Sequence, residues 1–121
     1  MSKKILLVED DLLAARAIES LLKSKNYEVE LAIDGEEAIG KVHEGYHCVV
    51  LDIIMPKKDG WEVLKDLKSN KRTLHIPVVV CTNLDGEQHR KRASDMGAHG
   101  FVNKTCDNLL EVVEAVFRQA D

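Results

Sequence analysis

Along this chain, short apolar runs alternate five times with stretches of helical spacing. Lys4 to Glu9 is apolar and closes on Glu9-Asp10-Asp11, which predicts a first strand. Leu12 to about Lys25 then places Ala14, Ile18, Leu21 and Leu22 on one helical stripe, with Lys23 and Lys25 in a last turn where they suit the helix dipole. Glu28 to Ile33 alternates, with Val29, Leu31 and Ile33 on one face, as an edge strand half open to water does. Asp34 is placed to cap a second helix over Glu36 to Glu44, whose apolar side is Ala38, Ile39 and Val42, and Gly45 breaks it.

Cys48 to Asp52 is continuously apolar up to its final acid and predicts a strand buried on both faces. Pro56 to Gly60 is a loop, and Trp61, Val63, Leu64 and Leu67 mark a third helix ending near Ser69-Asn70. Pro77 to Cys81 is a second continuously apolar strand, leading into Thr82-Asn83. Glu87 to Met96 is a fourth helix closed by Gly97; it offers only Ala93 and Met96 to a core, so it is expected to be the least firmly held. His99 to Asn103 is the fifth strand, and Asp107 is placed to cap a final helix carrying Leu109, Leu110, Val113, Val116 and Phe117. Strands and helices in strict alternation with short connections imply right-handed crossovers and a parallel sheet covered on both faces, an α/β doubly wound fold.

Length and composition narrow this further. The 121 residues suit one domain, residues 1–121, and 45% hydrophobic with 31% charged residues is a globular composition. A net charge of −4 argues against a general nucleic-acid binder, and the basic run His89-Arg90-Lys91-Arg92 would fan around a helix as a solvated face. Cys48, Cys81 and Cys106 lack metal-type spacing and are expected to be reduced thiols; His43, His47, His75, His89 and His99 lack ligand spacing too. The apolar run after Lys3-Lys4 is too short for a signal peptide, and no stretch approaches membrane-spanning length, so a cytoplasmic protein is expected.

The chemistry gathers at the carboxyl ends of the strands, where open parallel sheets bind ligands. The first strand brings Glu9, Asp10 and Asp11 there, the third Asp52, the fourth Thr82 and the fifth Lys104. Two carboxylates about 4 Å apart repel by roughly 4 kcal/mol at an effective dielectric near 20. A hard divalent cation relieves that repulsion, and Mg²⁺ takes one or two carboxylates while keeping room for substrate oxygens. With a Thr82 hydroxyl and a mobile Lys104 charge beside it, the cluster suits phosphoryl transfer, with Asp52 as an in-line nucleophile forming an acyl phosphate. Asp11 fits the N-cap of the first helix at least as well as a metal role.

Ile5-Leu6-Leu7-Val8-Glu9-Asp10-Asp11, Val50-Leu51-Asp52-Ile53-Ile54-Met55-Pro56 followed by Asp59-Gly60, Val78-Val79-Val80-Cys81-Thr82-Asn83, and Met96-Gly97-Ala98 leading to Gly100-Phe101-Val102-Asn103-Lys104 stand in this order over essentially the whole chain. In this the chain resembles the receiver domain of two-component response regulators. The resemblance implies a flavodoxin-like three-layer sandwich with strand order 2-1-3-4-5 and five helices. It implies that Asp52 accepts a phosphoryl group from a sensor histidine kinase or histidine phosphotransfer protein, in a Mg²⁺-dependent reaction. Asp10 then matches the direct metal ligand, Glu9 its companion acting through water, and Asp52 itself and the main-chain carbonyl of Ile54 the further ligands. Thr82 and Lys104 match the pair that reads the phosphate, and Phe101 the aromatic that changes rotamer with Thr82. Signalling to a downstream effector or output domain would run through the helix 4, strand 5, helix 5 face, with no direct nucleic-acid or membrane contact by this domain.

Two positions depart from the family pattern. Thr105 follows Lys104 where a cis-joined proline is common; since a cis bond before a non-proline costs about 3 to 4 kcal/mol, a trans peptide is expected. Asn83 stands after Thr82 where a small residue is more usual. The rival readings are a receiver-like interaction module that takes no phosphate, and an aspartate-nucleophile phosphohydrolase. The latter would need a D-x-D after the first strand, which Glu9-Asp10-Asp11 does not supply. A flavin carrier would need a hydroxyl-rich loop at the same place.

Overall fold

Five parallel strands form one sheet in the order β2-β1-β3-β4-β5. The structure is a computed structural model and describes residues 2–84, 86–104 and 108–120. The elements are β1 (Lys4–Val8), α1 (Leu12–Lys23), β2 (Glu28–Ala32), α2 (Gly35–Lys41) running into a 3-10 turn (Val42–Glu44), β3 (Cys48–Leu51), α3 (Gly60–Ser69), β4 (Val78–Thr82), α4 (Glu87–Asp95), β5 (Gly100–Asn103) and α5 (Leu109–Ala120).

Alternation along the strands divides the core into two layers. Leu6, Val8, Val49, Leu51 and Val78 face α2 and α3, meeting Ala38, Val42, Val63, Leu64 and Leu67. Their neighbours Ile5, Leu7, Cys48, Val50, Val79, Cys81 and Val102 face α1 and α5, meeting Ala15, Leu22, Leu109, Val113 and Phe117. β1, β3 and β4 are buried on both faces apart from Lys4, as their unbroken apolar runs require, whereas β2 is a partly open edge.

The helix ends follow local chemistry. Asp11, Asp34 and Asp59 each accept hydrogen bonds from backbone N–H groups in the first turns of α1, α2 and α3, including 2.8 Å from Glu37 N and 2.9 Å from Glu62 N. After α4 the N–H groups of Gly97 and Ala98 donate to the carbonyls of Ser94 (3.0 Å) and Ala93 (2.9 Å), a Schellman arrangement that needs the φ of +99° adopted by Gly97. The first helix differs from its predicted stripe. Ala15 and Leu22 are its buried residues, Ala14 and Ile18 are half-buried, and Leu21 is 38% exposed. The stripe holds at Ala14, Ile18 and Leu22 and misses at Leu21, while Ala15 joins it, because periodicity does not separate adjacent apolar residues at the edge of a stripe. Ile33 lies beyond the end of β2 and is exposed. The expected cap by Asp107, the Thr105 peptide and Cys106 lie outside the described residues.

Candidate functional site

The sheet register brings two acids out of the core at one level. Val8 pairs with Leu51, and beyond that pair Asp52 N donates to Val8 O at 3.0 Å while Glu9 N donates to Ala32 O at 2.9 Å. Glu9 and Asp52 therefore leave adjacent strands side by side. Glu9 is 1% and Asp52 4% exposed, while Asp10 beside them is open to solvent. One oxygen from each of Glu9, Asp10 and Asp52 lies within 4.8 Å of the others.

Lys104 meets this charge from the end of β5. Its backbone N donates to Thr82 O at 3.0 Å, extending the β4–β5 ladder by one bond and carrying the side chain over the rim. The ammonium donates to Asp52 Oδ2 at 2.8 Å and lies 2.7 Å from Glu9 Oε2. Burial, with the charge of Asp52 adding to it, raises the Glu9 carboxyl above its ordinary value even though Lys104 and the Asp11 N–H pull it down. Burial alone would lower the Lys104 ammonium, but its bonds to Asp52 and Glu9 outweigh that and hold it above the usual lysine range. Asp11 Oδ1 accepts from Leu13 N and Ala14 N, so of its two readings the cap is the one adopted.

The remaining predicted residues surround this centre. Thr82 is the last residue of β4 and fully buried, and its hydroxyl accepts a 3.4 Å hydrogen bond from Leu84 N. Ile54 N donates to Asp52 Oδ1 at 3.3 Å, which folds the Ile54 backbone against the carboxylate, while its side chain is 56% exposed. Phe101 is half-buried on β5, and Asn83 is exposed beside Thr82.

Sequence reasoning missed three contributors. Gly60 donates to Ile53 O at 2.8 Å, and a Cβ there would collide with the Asp52 carbonyl, so the start of α3 presses on the backbone of the acid itself. Arg90 lies over the Phe101 ring at 5.0 Å and donates to Phe101 O at 3.1 Å, and Arg92 lies 4.1 Å over Trp61. The Asp59-Gly60 pair at a helix start was a signal for the first; a basic run names no aromatic partner, so nothing local signalled the others.

Chemically, the donor set is all hard oxygen, with three carboxylates of which two are buried. Mutual repulsion of roughly 3 to 4 kcal/mol per pair at such spacing makes an added cation favourable. The set fits Mg²⁺, which binds one or two carboxylates and leaves positions for other oxygens.

The family model for the response regulator receiver domain matches residues 5–116. Response regulator PleD of Caulobacter vibrioides is 37% identical over 111 residues, covering 91% of this chain and 24% of that protein. Regulatory protein VanRB of Enterococcus faecalis is 36% identical over 123 residues, covering 99% of this chain and 54% of that protein. The chain thus spans about half or less of these relatives' length. Among solved structures, a two-component response regulator from Clostridium difficile superposes with a TM-score of 0.90 at 27% identity, over 99% of both chains.

Proposed function

The chain belongs to the family of response regulator receiver domains, and from that premise we propose that it is a phosphorylation-controlled switch whose phosphoacceptor is Asp52. The observation that carries this reading is the meeting of Glu9, Asp10 and Asp52 under the Lys104 ammonium at the carboxyl edge of the sheet. A carboxylate oxygen of Asp52 attacks phosphorus in a phosphohistidine of a sensor kinase or phosphotransfer protein. A P–O bond forms as the P–N bond breaks, and the departing imidazole nitrogen keeps the electron pair and takes up a proton. Lys104 and the Thr82 hydroxyl donate to the phosphoryl oxygens, and Asp10, Glu9 and Asp52, with the Ile54 carbonyl, are the residues that would hold Mg²⁺. When bound, that ion supplies the positive charge that lets carboxylate and phosphoryl oxygens approach.

The module is then read by a downstream effector or output domain through α4, β5 and α5, with Phe101 responding to Thr82. Direct nucleic-acid contact is not part of this reading, because Arg90 and Arg92 are engaged with aromatic rings and Lys91 pairs with Asp95 at 3.0 Å. Among the described residues no helix is long and apolar enough to cross a membrane, and Cys48 and Cys81 are free thiols, both in keeping with a place in the cytoplasm beside its kinase. The test is labelling by acetyl phosphate: Mg²⁺-dependent gain of one phosphoryl group, lost in Asp52→Asn. No labelling of the wild-type chain would leave an interaction module that takes no phosphate.

A further inference from the structure

α4 is seated in an unusual way. Its only buried residue is Ala93, which packs with Ile53 and Val80 in a small apolar cluster walled by Trp61, Leu84, Ala98 and Phe101. A single methyl gives the helix little apolar anchorage. Besides Met96 at its C-terminal cap, two of its arginines add to that anchorage. Arg90 caps the Phe101 ring at 5.0 Å and donates to the Phe101 carbonyl at 3.1 Å. Arg92 caps Trp61 at 4.1 Å, and His89 stacks against the same indole with centroids 6.4 Å apart.

Both rings stand on elements that end in the acid cluster. Phe101 is on β5, whose next residue after the strand is Lys104. Trp61 follows Gly60, the residue pressed on the backbone of Asp52 and Ile53. We propose that Arg90 and Arg92 form a two-point latch, each capping one aromatic ring, that holds α4 in its resting seat and sets how readily modification of Asp52 displaces it. The switching part rests on the reading of Asp52 as phosphoacceptor; the latch itself does not.

The experiment uses the full chain as wild type, Arg90→Gln, Arg92→Gln and Arg92→Lys. All the changed side chains are at the surface and leave Asp52, Thr82 and Lys104 intact. Amide exchange of α4 is measured first. An exposed cation–aromatic contact is worth roughly a two- to five-fold change in local opening, so each Gln variant raises α4 exchange by about that factor. Arg92→Lys, which keeps the charge, falls between wild type and Arg92→Gln, and β1 and β3 do not change. Uptake of beryllofluoride with Mg²⁺, followed by fluorine NMR, is measured second. Weakening what holds the resting seat favours the displaced one, so the apparent beryllofluoride affinity rises by a similar factor. Unchanged α4 exchange in both Gln variants overturns the latch. Raised exchange with unchanged beryllofluoride affinity overturns its part in switching. A wild-type chain that takes up no beryllofluoride overturns the phosphoacceptor reading instead, and α4 exchange then decides the latch by itself.

Discussion

The Lys104 ammonium lies 2.8 Å from Asp52 Oδ2, a contact between residues 52 positions apart that closes the acid cluster from the fifth strand. The same nitrogen also serves Glu9, so one cation offsets two carboxylates that the fold has taken out of water. Removing one member of a buried ionic set typically costs about 3 to 5 kcal/mol, and the position of Lys104 at the rim puts its loss at or below the lower end.

Lys104→Met should therefore cost about 2 to 3 kcal/mol at pH 7 to 8. The sign with pH follows from Glu9. Its carboxyl is raised in the folded protein, so its ionisation weakens the fold as pH climbs from the ordinary value of 4.5 through the folded one. Without Lys104 that penalty grows, and the deficit of the variant shrinks as pH falls toward 4.5 or as Mg²⁺ is added. Urea unfolding of both proteins at pH 8 and pH 5, with and without Mg²⁺, measures this; a deficit indifferent to pH and metal counts against it.

Asp10 separates function from stability. It is exposed and accepts no hydrogen bond among the described residues. Asp10→Asn relieves the repulsion by Glu9 and Asp52 and should raise the metal-free unfolding free energy, by about 0.5 to 2 kcal/mol once solvent screening at this exposed position is counted. Losing a unit charge beside a cation costs up to about 4 kcal/mol at 4 Å and an effective dielectric of 20, so Mg²⁺ affinity should fall at least about tenfold. Calorimetric titration with Mg²⁺ reads the second effect directly.

Two glycines should respond oppositely to alanine. At Gly60 the added Cβ would sit 2.5 Å from Ile53 Cα and closer still to the Asp52 carbonyl oxygen, both backbone atoms that cannot swing aside. Gly60→Ala should cost about 1 to 3 kcal/mol and slow phosphoryl uptake by displacing Asp52. Gly40 lies within α2 with nothing within 4 Å of its would-be Cβ, so Gly40→Ala should stabilise by about 0.5 to 1 kcal/mol. Thermal unfolding of the pair tests both directions at once.

At the far end of the sheet the Tyr46 hydroxyl donates to Glu30 Oε2 at 2.7 Å, and this bond, with Lys4 adding to it, holds the Glu30 carboxyl below 4.5. A depressed carboxyl stabilises the fold fully above its unfolded value and loses that contribution as pH falls through the folded one. Glu30 has a 41% exposed side chain, so solvent screening keeps the cost of Tyr46→Phe near about 0.5 to 1 kcal/mol at pH 7. That cost should diminish toward pH 3. Denaturant midpoints of the two proteins across this range provide the check.

Much of this molecule was legible from residue pattern because strands β3 and β4 are buried on both faces and announce themselves as apolar runs with a polar residue at one end. Asp52 and Thr82 were found in that way, and Glu9 with Lys104 by the same logic at β1 and β5. The double engagement of Lys104 was not legible, since periodicity carries no information on which of several acids 95 or 52 residues away a lysine will reach. The partners of Arg90 and Arg92 were hidden for the same reason. On α1 only the edges of the stripe escaped the pattern, since Ala15 is buried beside it and Leu21 is exposed.

The half-open strand β2 has a bearing on how this protein behaves when crowded. A bare sheet margin is a template on which a second chain can lay its own strand. Here that margin carries Glu28 and Glu30 two residues apart, hence on one side of the pleat, with Lys4 offsetting only the second. Two copies meeting along β2 would line carboxylates against carboxylates, an opposition worth about 0.2 to 1 kcal/mol for each facing pair. The acid that anchors Tyr46 inside one molecule thus also guards its β2 edge against pairing with that of a second copy.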